Sequence, residues 1–472
     1  MRRPARRLAA ALAALAVAAS AHAAPQAAPA QRRAEILAAY GGAYQGPINA
    51  YVARVGERMA AAAGQGGRCT FSVIDIAVVN AFASPPGCDI YVTRGLLALI
   101  RSESELAAVL GHEVGHVAAD HAGRRQTRSV ITGLGALVLG VVTGSSAIAQ
   151  IAGKAGELTV LSYSREQEFE ADGLSARYLA SAGYNPYGLA EMLTALQADD
   201  QIEALDRGAQ AKAQPSWTKT HPLTGDRIAR AVAAARPSHA PAPSPAGAPD
   251  PYLVQVDGLI WGDDPAQGVV LGRRFLHPDL GIGFTAPAGF VLANSPRAVA
   301  FQGPGGLKGL FAGRVGPAGA SPADEADAVL RQLAGQAQVR TGEVRRTRIN
   351  GLDAAVLPAQ ALGDSGWVDV TVAVYAVGGE TFHFATLAPA GQAQAFDPLI
   401  GSLHRLDAAE RAEARPRRIQ VIRVRPGDTA DSLAARMAVV DHRREWFEAI
   451  NGLAPGDALA PGDRVKIVAL TP

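Results

Sequence analysis

His112-Glu113-Val114-Gly115-His116 constrains this chain more than any other run in it. On a helix, residues four apart project from one face, one turn apart. Two histidines so placed can grip a single zinc ion. Glu113 then stands beside the metal, where a carboxylate can take a proton from water. The surroundings favour a helix. Ser102 is a good N-cap, and Glu105 follows three residues later, a capping-box pattern. Leu106, Val109, Leu110, Val114 and Val117 recur at helical spacing. Gly123, Arg124 and Arg125 fit the C-terminal end. The bland alternative is a pair of surface histidines that match by chance, and the capped helix argues against it.

A catalytic zinc takes three protein ligands and keeps a fourth position open. Ser164-Arg165-Glu166-Gln167 repeats the capping-box pattern and opens a helix reading Glu168-Phe169-Glu170-Ala171-Asp172. Glu168 and Asp172 share a face of it. Glu168 reads as the third ligand. Asp172 reads as the group that hydrogen-bonds the far nitrogen of one zinc histidine and fixes its tautomer. Glu166 and Glu170 read as a solvated acidic face.

These runs, followed by Thr220-His221-Pro222-Leu223-Thr224-Gly225-Asp226-Arg227, resemble the HtpX-, BepA- and CAAX-protease-type zinc metallopeptidases. Val79-Asn80-Ala81-Phe82-Ala83 and Ile90-Tyr91-Val92-Thr93-Arg94-Gly95-Leu96-Leu97 carry the resemblance upstream, so that it covers about residues 35 to 235. It implies a mainly helical zincin-type domain with a small sheet, and one Zn2+ on His112, His116 and Glu168. It implies Glu113 as the base and an endopeptidase acting on protein or peptide chains. In the periplasmic BepA-like branch, the histidine matching His221 approaches the metal in a resting, self-inhibited state. The resemblance thus implies a regulatory or catalytic role for His221. From the residues alone, His221 reads equally as a loop histidine fixing the turn before Pro222.

Thr70 to Val79 is rich in Phe, Val and Ile and reads as a strand, Ser84 to Gly87 as a turn, and Asp89 to Thr93 as a returning strand. Asn80 to Ser84 forms the rim or edge of this hairpin, where a substrate can add as a further strand. The two cysteines, Cys69 and Cys88, flank the hairpin strands. In an exported chain a disulfide between them is expected, against two free thiols.

Export is expected from the start of the chain. Arg2, Arg3, Arg6 and Arg7 precede an apolar run from Leu8 to Ala19, and Ala21-His22-Ala23 fits a cleavage site, so residues 1–23 read as a signal peptide. Losing its four arginines takes the formal charge from +2 to −2. A near-neutral chain gives no reason to expect nucleic acid. Ser129 to Gly153 is uncharged but broken by polar residues. It reads as two short helices touching substrate or the membrane periphery rather than as a span.

The fold class expected is α+β and multidomain. Residues 24–236 form the metallopeptidase domain, and 237–251 a Pro/Ala-rich linker. Residues 252–405 form an α+β domain of unknown role, with strands over 281–286, 298–302, 310–314, 353–358, 367–376 and 381–387 and a helix capped by Ser321. Asp263-Asp264 reads as a turn. Residues 406–419 belong to an Arg-rich connector, read as solvated. Residues 420–470 have a β-α-α-β order with Pro426-Gly427-Asp428-Thr429 early and Pro461-Gly462-Asp463-Arg464 late, and resemble a LysM module. That resemblance implies binding to peptidoglycan. Three functions compete: an envelope endopeptidase clearing misfolded or unassembled proteins, a wall-associated assembly factor with a latent site, and a peptidoglycan hydrolase.

Overall fold

The computed structural model describes residues 29–124 (41 and 86 apart), 163–207, 217, 221–222, 225–236 and 250–471 (336, 364 and 365 apart). The expected signal peptide, the stretch 129–153 and most of the Pro/Ala segment lie outside the described residues.

Helices α1 (Pro29–Ala39) and α2 (Ile48–Ala62) precede strands β1 (Thr70–Ile74), β2 (Ala81–Ser84) and β3 (Asp89–Thr93). Then come α3 (Arg94–Leu99), α4 (Glu103–Ala118), α5 (Arg165–Ser181), α6 (Gly188–Arg207) and α7 (Gly225–Ala235). The expected hairpin is corrected here. The sheet runs β1-β3-β2, with β1 parallel to β3 and β2 antiparallel to it at the edge. The first strand stops at Ile74, and Asp75 turns to pair with the buried Arg94, Nε to Oδ1 2.6 Å. Apolar alternation marks a strand but not its direction. The parallel register opposes Thr70 to Asp89, so the preceding residues lie side by side. Cys69 and Cys88 form a disulfide there, with Cα atoms 4.5 Å apart. A hairpin would have put them at opposite ends.

Helix α4 is buried along most of its length, and its glycines set how closely α5 approaches. A Cβ at Gly115 would sit 3.3 Å from the Ala171 carbonyl oxygen, and one at Gly111 3.1 Å from Ser175 Oγ. This close crossing brings the α5 carboxylates to the α4 histidines.

Helix α8 (Pro251–Val256) starts inside the expected linker, with Asp250 as its N-cap. It leads to β4 (Ile260–Trp261). Asp264 caps a short 3-10 turn, and Asp263 accepts from the Val270 amide, so this pair is a turn. Next come β5 (Val269–Leu271), β6 (Arg274–His277), β7 (Ile282–Thr285), β8 (Val291–Asn294), β9 (Ala298–Gln302), β10 (Lys308–Gly313) and α9 (Pro322–Ala334). They are followed by β11 (Val339–Thr341), β12 (Arg345–Ile349), β13 (Leu352–Gly363), β14 (Gly366–Val377), β15 (Glu380–Pro389), α10 (Asp397–Ile400) and β16 (His404–Arg405). An eight-stranded sheet, β11-β13-β14-β15-β10-β9-β8 with β12 also on β13, carries α9 on one face through Val329, Leu330 and Leu333. Phe284, Phe301, Phe311 and Phe384 fill the other face, toward the sheet β16-β7-β6-β5.

The Arg-rich connector is not a solvated linker. It contains α11 (Ala408–Glu413) and the start of β17 (Arg417–Arg423). Arg411, Arg417 and Arg418 donate to the carbonyls of Pro278, Ala438 and Gly258. After α12 (Ala430–Ala434) and α13 (Arg443–Asn451), β18 (Arg464–Leu470) pairs antiparallel with β17, whose other side holds β4.

This β-α-α-β segment shares one core with the first domain. Phe447, Ile450, Val465, Ile467 and Val468 join the same buried cluster as Leu96, Leu97 and Leu99. Tyr252, Val256 and Leu259 belong to that cluster too, and not to the eight-stranded sheet. Polar links cross the seam. Arg94 donates to the carbonyls of Ile260 and Gly262, and the Tyr252 hydroxyl to that of Leu97. Lys466 is fully buried and donates to the carbonyls of Ala98, Leu99 and Ile100 at 2.7, 3.0 and 2.7 Å. These oxygens end α3 and have no intrahelical donor. Burial pulls the Lys466 pKa down to about 7, with buried Glu105 pulling against it. Lys466→Met strands the carbonyls in an apolar seam and is expected to lower stability by on the order of 2 kcal/mol. A shifted urea midpoint at unchanged slope checks this.

Candidate metal centre

Each site residue is set by its helix. Ser102 caps α4 through the Glu105 amide, and Ser164 caps α5 in a reciprocal box with Gln167. Glu105 does not return to Ser102 as the pattern suggested; it binds the Arg101 amide and guanidinium. α4 also ends at Ala118, before Gly123.

His112, His116, Glu168 and His221 converge, with one ligand atom of each within 4.8 Å of all the others. His112 Nε2 lies 3.0 Å from His116 Nε2 and 3.3 Å from His221 Nδ1. Glu168 Oε1 lies 3.0 Å from His221 Nδ1 and 3.6 Å from His116 Nε2. All four side chains are buried. The donor set, three imidazoles and a carboxylate, suits zinc. Glu113 lies alongside but outside this set. Both its carboxylate oxygens are buried and lack a hydrogen-bond partner among the described residues, with Oε1 3.5 Å from His221 Nε2. Four crowded ligand atoms and an unpaired buried carboxylate are costly alone, and a cation answers both. The residues therefore fit the metal.

The surroundings fix the ligands. Asp172 Oδ1 stands 3.0 Å from His112 Nδ1, the far side from the cluster. Arg227 holds Asp172 from two nitrogens, at 2.7 and 2.8 Å, and reaches Glu168 Oε2 at 2.7 Å. It also donates to the His221 and Pro222 carbonyls. Burial opposes charge on His112, but Asp172 and Glu168 outweigh it and push its pKa up to about 9. Burial and the neighbouring histidines hold His116 well below the usual range. Glu168 and Asp172 resist burial and stay low, Glu168 beside His221 and His112, Asp172 beside Arg227 and His112. A bound cation takes the place of the His112 proton.

Several of these partners were not singled out from the sequence. Trp217 stacks on His221 at 4.5 Å between ring centres, with Arg227 over its other neighbourhood at 5.0 Å. The His221 amide donates to the Trp217 carbonyl, so an i, i+4 aromatic spacing was the available signal. Tyr163 stacks on His116 at 3.6 Å. Glu170, read as solvated, instead pairs with buried His121 at 3.1 Å and with Arg124 at 3.2 Å. Beside His116 opens a cleft of about 630 Å³, lined by Arg68, Ala83, Cys88, Val117, Asp120 and Tyr163. Ala83 belongs to the edge strand β2, and the Trp217 amide binds the Val79 carbonyl just before it.

Residues 48–235 match the profile of peptidase family M48. The chain is 33% identical over 191 residues to the putative beta-barrel assembly-enhancing protease of Vibrio cholerae serotype O1, covering 38% of each protein. It is 32% identical over 152 residues to metalloprotease LoiP of Escherichia coli K12, covering 32% of this chain and 56% of that one. It is 37% identical over 115 residues to the mitochondrial metalloendopeptidase OMA1 of Arabidopsis thaliana, covering 24% and 23%. The match thus spans well under two thirds of each of these relatives. The geometry and the profile agree on the same stretch: residues 48–235, which hold the buried histidine and glutamate cluster, are similar to peptidase family M48.

Proposed function

We propose that this protein is a periplasmic or otherwise secreted zinc endopeptidase that hydrolyses peptide bonds of misfolded or unassembled envelope proteins. The observation that carries the reading is the buried His112, His116, Glu168 and His221 cluster with the unpaired Glu113 carboxylate beside it. When bound, zinc supplies Lewis acidity toward the scissile carbonyl and toward water. Glu113 takes the proton from that water and passes it to the leaving amine. The outer edge of β2, which pairs with no strand among the described residues and lies next to the cleft, offers backbone groups to an extended chain, and such pairing is indifferent to sequence. An unfolded or unpaired substrate supplies such a chain. The Vibrio cholerae relative, named for beta-barrel assembly, supports an envelope setting, and the Cys69–Cys88 disulfide suits an oxidising compartment.

A second observation favours a site that rests closed. His221 occupies a ligand position and is pinned by Trp217, Arg227 and Glu168. Zinc coordinated by His221 as well as the other three keeps no open position. His221→Ala is therefore expected to keep one zinc and to cleave an unfolded casein-like protein several-fold faster than wild type. A variant that binds zinc and only loses cleavage makes His221 a catalytic group, stabilising the oxyanion. Wild type and variant that both lack zinc and cleavage would end the endopeptidase reading. The β-α-α-β segment supports a LysM-like module and contact with peptidoglycan, held against the peptidase domain rather than on an arm. The third candidate, peptidoglycan hydrolysis, has less support, because the relatives are named as proteases and endopeptidases.

A further inference from the structure

We infer that His121 is a positioning residue for the zinc ligand His116, holding it in the tautomer that presents Nε2 to the metal. The inference rests on the zinc reading of the site. The two metal histidines of α4 have different supports. His112 has Asp172 at its far nitrogen. Among the described residues His116 has no carboxylate there; its Nδ1 lies 2.7 Å from Nδ1 of His121, a fully buried side chain.

The end of α4 explains the contact. Asp120 adopts a left-handed backbone, φ 48°. The Asp120 amide binds the Val117 carbonyl, and the His121 amide binds that of His116, both at 3.0 Å. These two bonds define a Schellman motif, which folds the residue after the left-handed one back onto the residue five before it. An apolar pair normally closes that motif. Here two imidazoles do. Asp120 stabilises its own uncommon conformation by accepting from the Gly123 amide at 3.2 Å.

Proton accounting then fixes the direction of the bond. With Nε2 of His116 turned to the cluster, the one ring proton sits on Nδ1. It can only be donated, so His121 Nδ1 accepts. The His121 proton is then on Nε2, where Glu170 Oε2 receives it at 3.1 Å. Gln167 donates to the His121 carbonyl at 3.2 Å and holds the loop against α5. One helix thus supports both histidines: Asp172 directly, Glu170 and Gln167 through His121. As a plain helix cap, His121 would affect folding alone. As a positioning residue it affects zinc affinity in a folded protein, and outer partners of this kind are worth about 10–100-fold.

The test is a competition titration of metal-free, full-length protein with zinc against a chromogenic chelator, with the melting temperature of each metal-free protein recorded. His121→Leu keeps an apolar side chain in the motif and removes the acceptor. It is expected to bind zinc about 10–100-fold more weakly than wild type. His121→Asn places Oδ1 near the lost Nδ1 and is expected to recover most of the affinity. Glu170→Ala, a change at a half-exposed residue that spares the core, is expected to lose affinity in the same direction but less. Wild-type affinity in the Leu and Ala variants overturns the inference. So does an Asn variant that folds normally yet binds no better than Leu. A wild type that takes up no zinc overturns the zinc reading itself, which a failure of the His121 variants alone does not.

Discussion

Glu113→Gln is expected to keep one zinc per chain while lowering turnover of an unfolded protein substrate by about 10²- to 10⁴-fold. The ligand atoms come from His112, His116, Glu168 and His221, so the change leaves the donor set complete. Glutamine has the size and shape of glutamate but cannot take up a proton from water at neutral pH. Wild-type Glu113 is buried, with neither oxygen hydrogen-bonded among the described residues. Removing its charge relieves a desolvation penalty, so the metal-free variant is expected to melt no lower than wild type. Zinc content, melting temperature and cleavage rate, measured on one preparation, separate these effects. An undiminished cleavage rate removes Glu113 from the role of base.

Arg227→Leu carries the second large effect. The guanidinium is 1% exposed and contacts Asp172 and Glu168 together. Deleting it leaves two buried carboxylates side by side that lose their two-pronged guanidinium and keep His112 as a remaining positive partner. Breaking a buried pair from one side costs about 3–5 kcal/mol. For a domain of this size that is a fall on the order of 10 °C in melting temperature. Arg227→Lys is expected to recover little of it, because a point charge cannot reproduce the two-pronged contact with Asp172. Saturating zinc is expected to narrow the gap, since the metal supplies positive charge to Glu168 and, through His112, to Asp172. An Arg227→Leu protein melting like wild type in chelator refutes this account.

How much of the site was legible follows from where each interaction is encoded. His112, Glu113 and His116 are fixed by four residues of helical spacing, and Glu168 and Asp172 by a second capped helix. Both helices start at the caps read from sequence, Ser102 and Ser164. Arg227 lay within a recognised motif, but its partners come from another helix, and no local rule gives the distance. His121 was hidden because its contact depends on one left-handed residue, Asp120, that composition does not announce. Strands β7, β9, β10, β13, β14 and β15 were legible from β-rich runs, although β13 extends to Gly363, well past Pro358; β5, β6, β8, β11, β12 and β16 were not anticipated. The direction of β1 was not legible, since side-chain alternation is the same in parallel and antiparallel pairs. Nothing local to the β18 strand marks Lys466 as buried; its burial depends on carbonyls more than 360 residues earlier.

That last contact has a consequence for timing. The chain is made from its amino end, and α3, whose final carbonyls Lys466 completes, emerges more than 360 residues before its partner. During synthesis, the scaffold under the metal site lacks β17, β18 and the lysine that seals its seam. A nascent or clipped chain would present Leu96, Leu97 and Leu99 without the surface that covers them. The arrangement makes the cover over α3, and with it the finished core of the first domain, wait for β17 and β18.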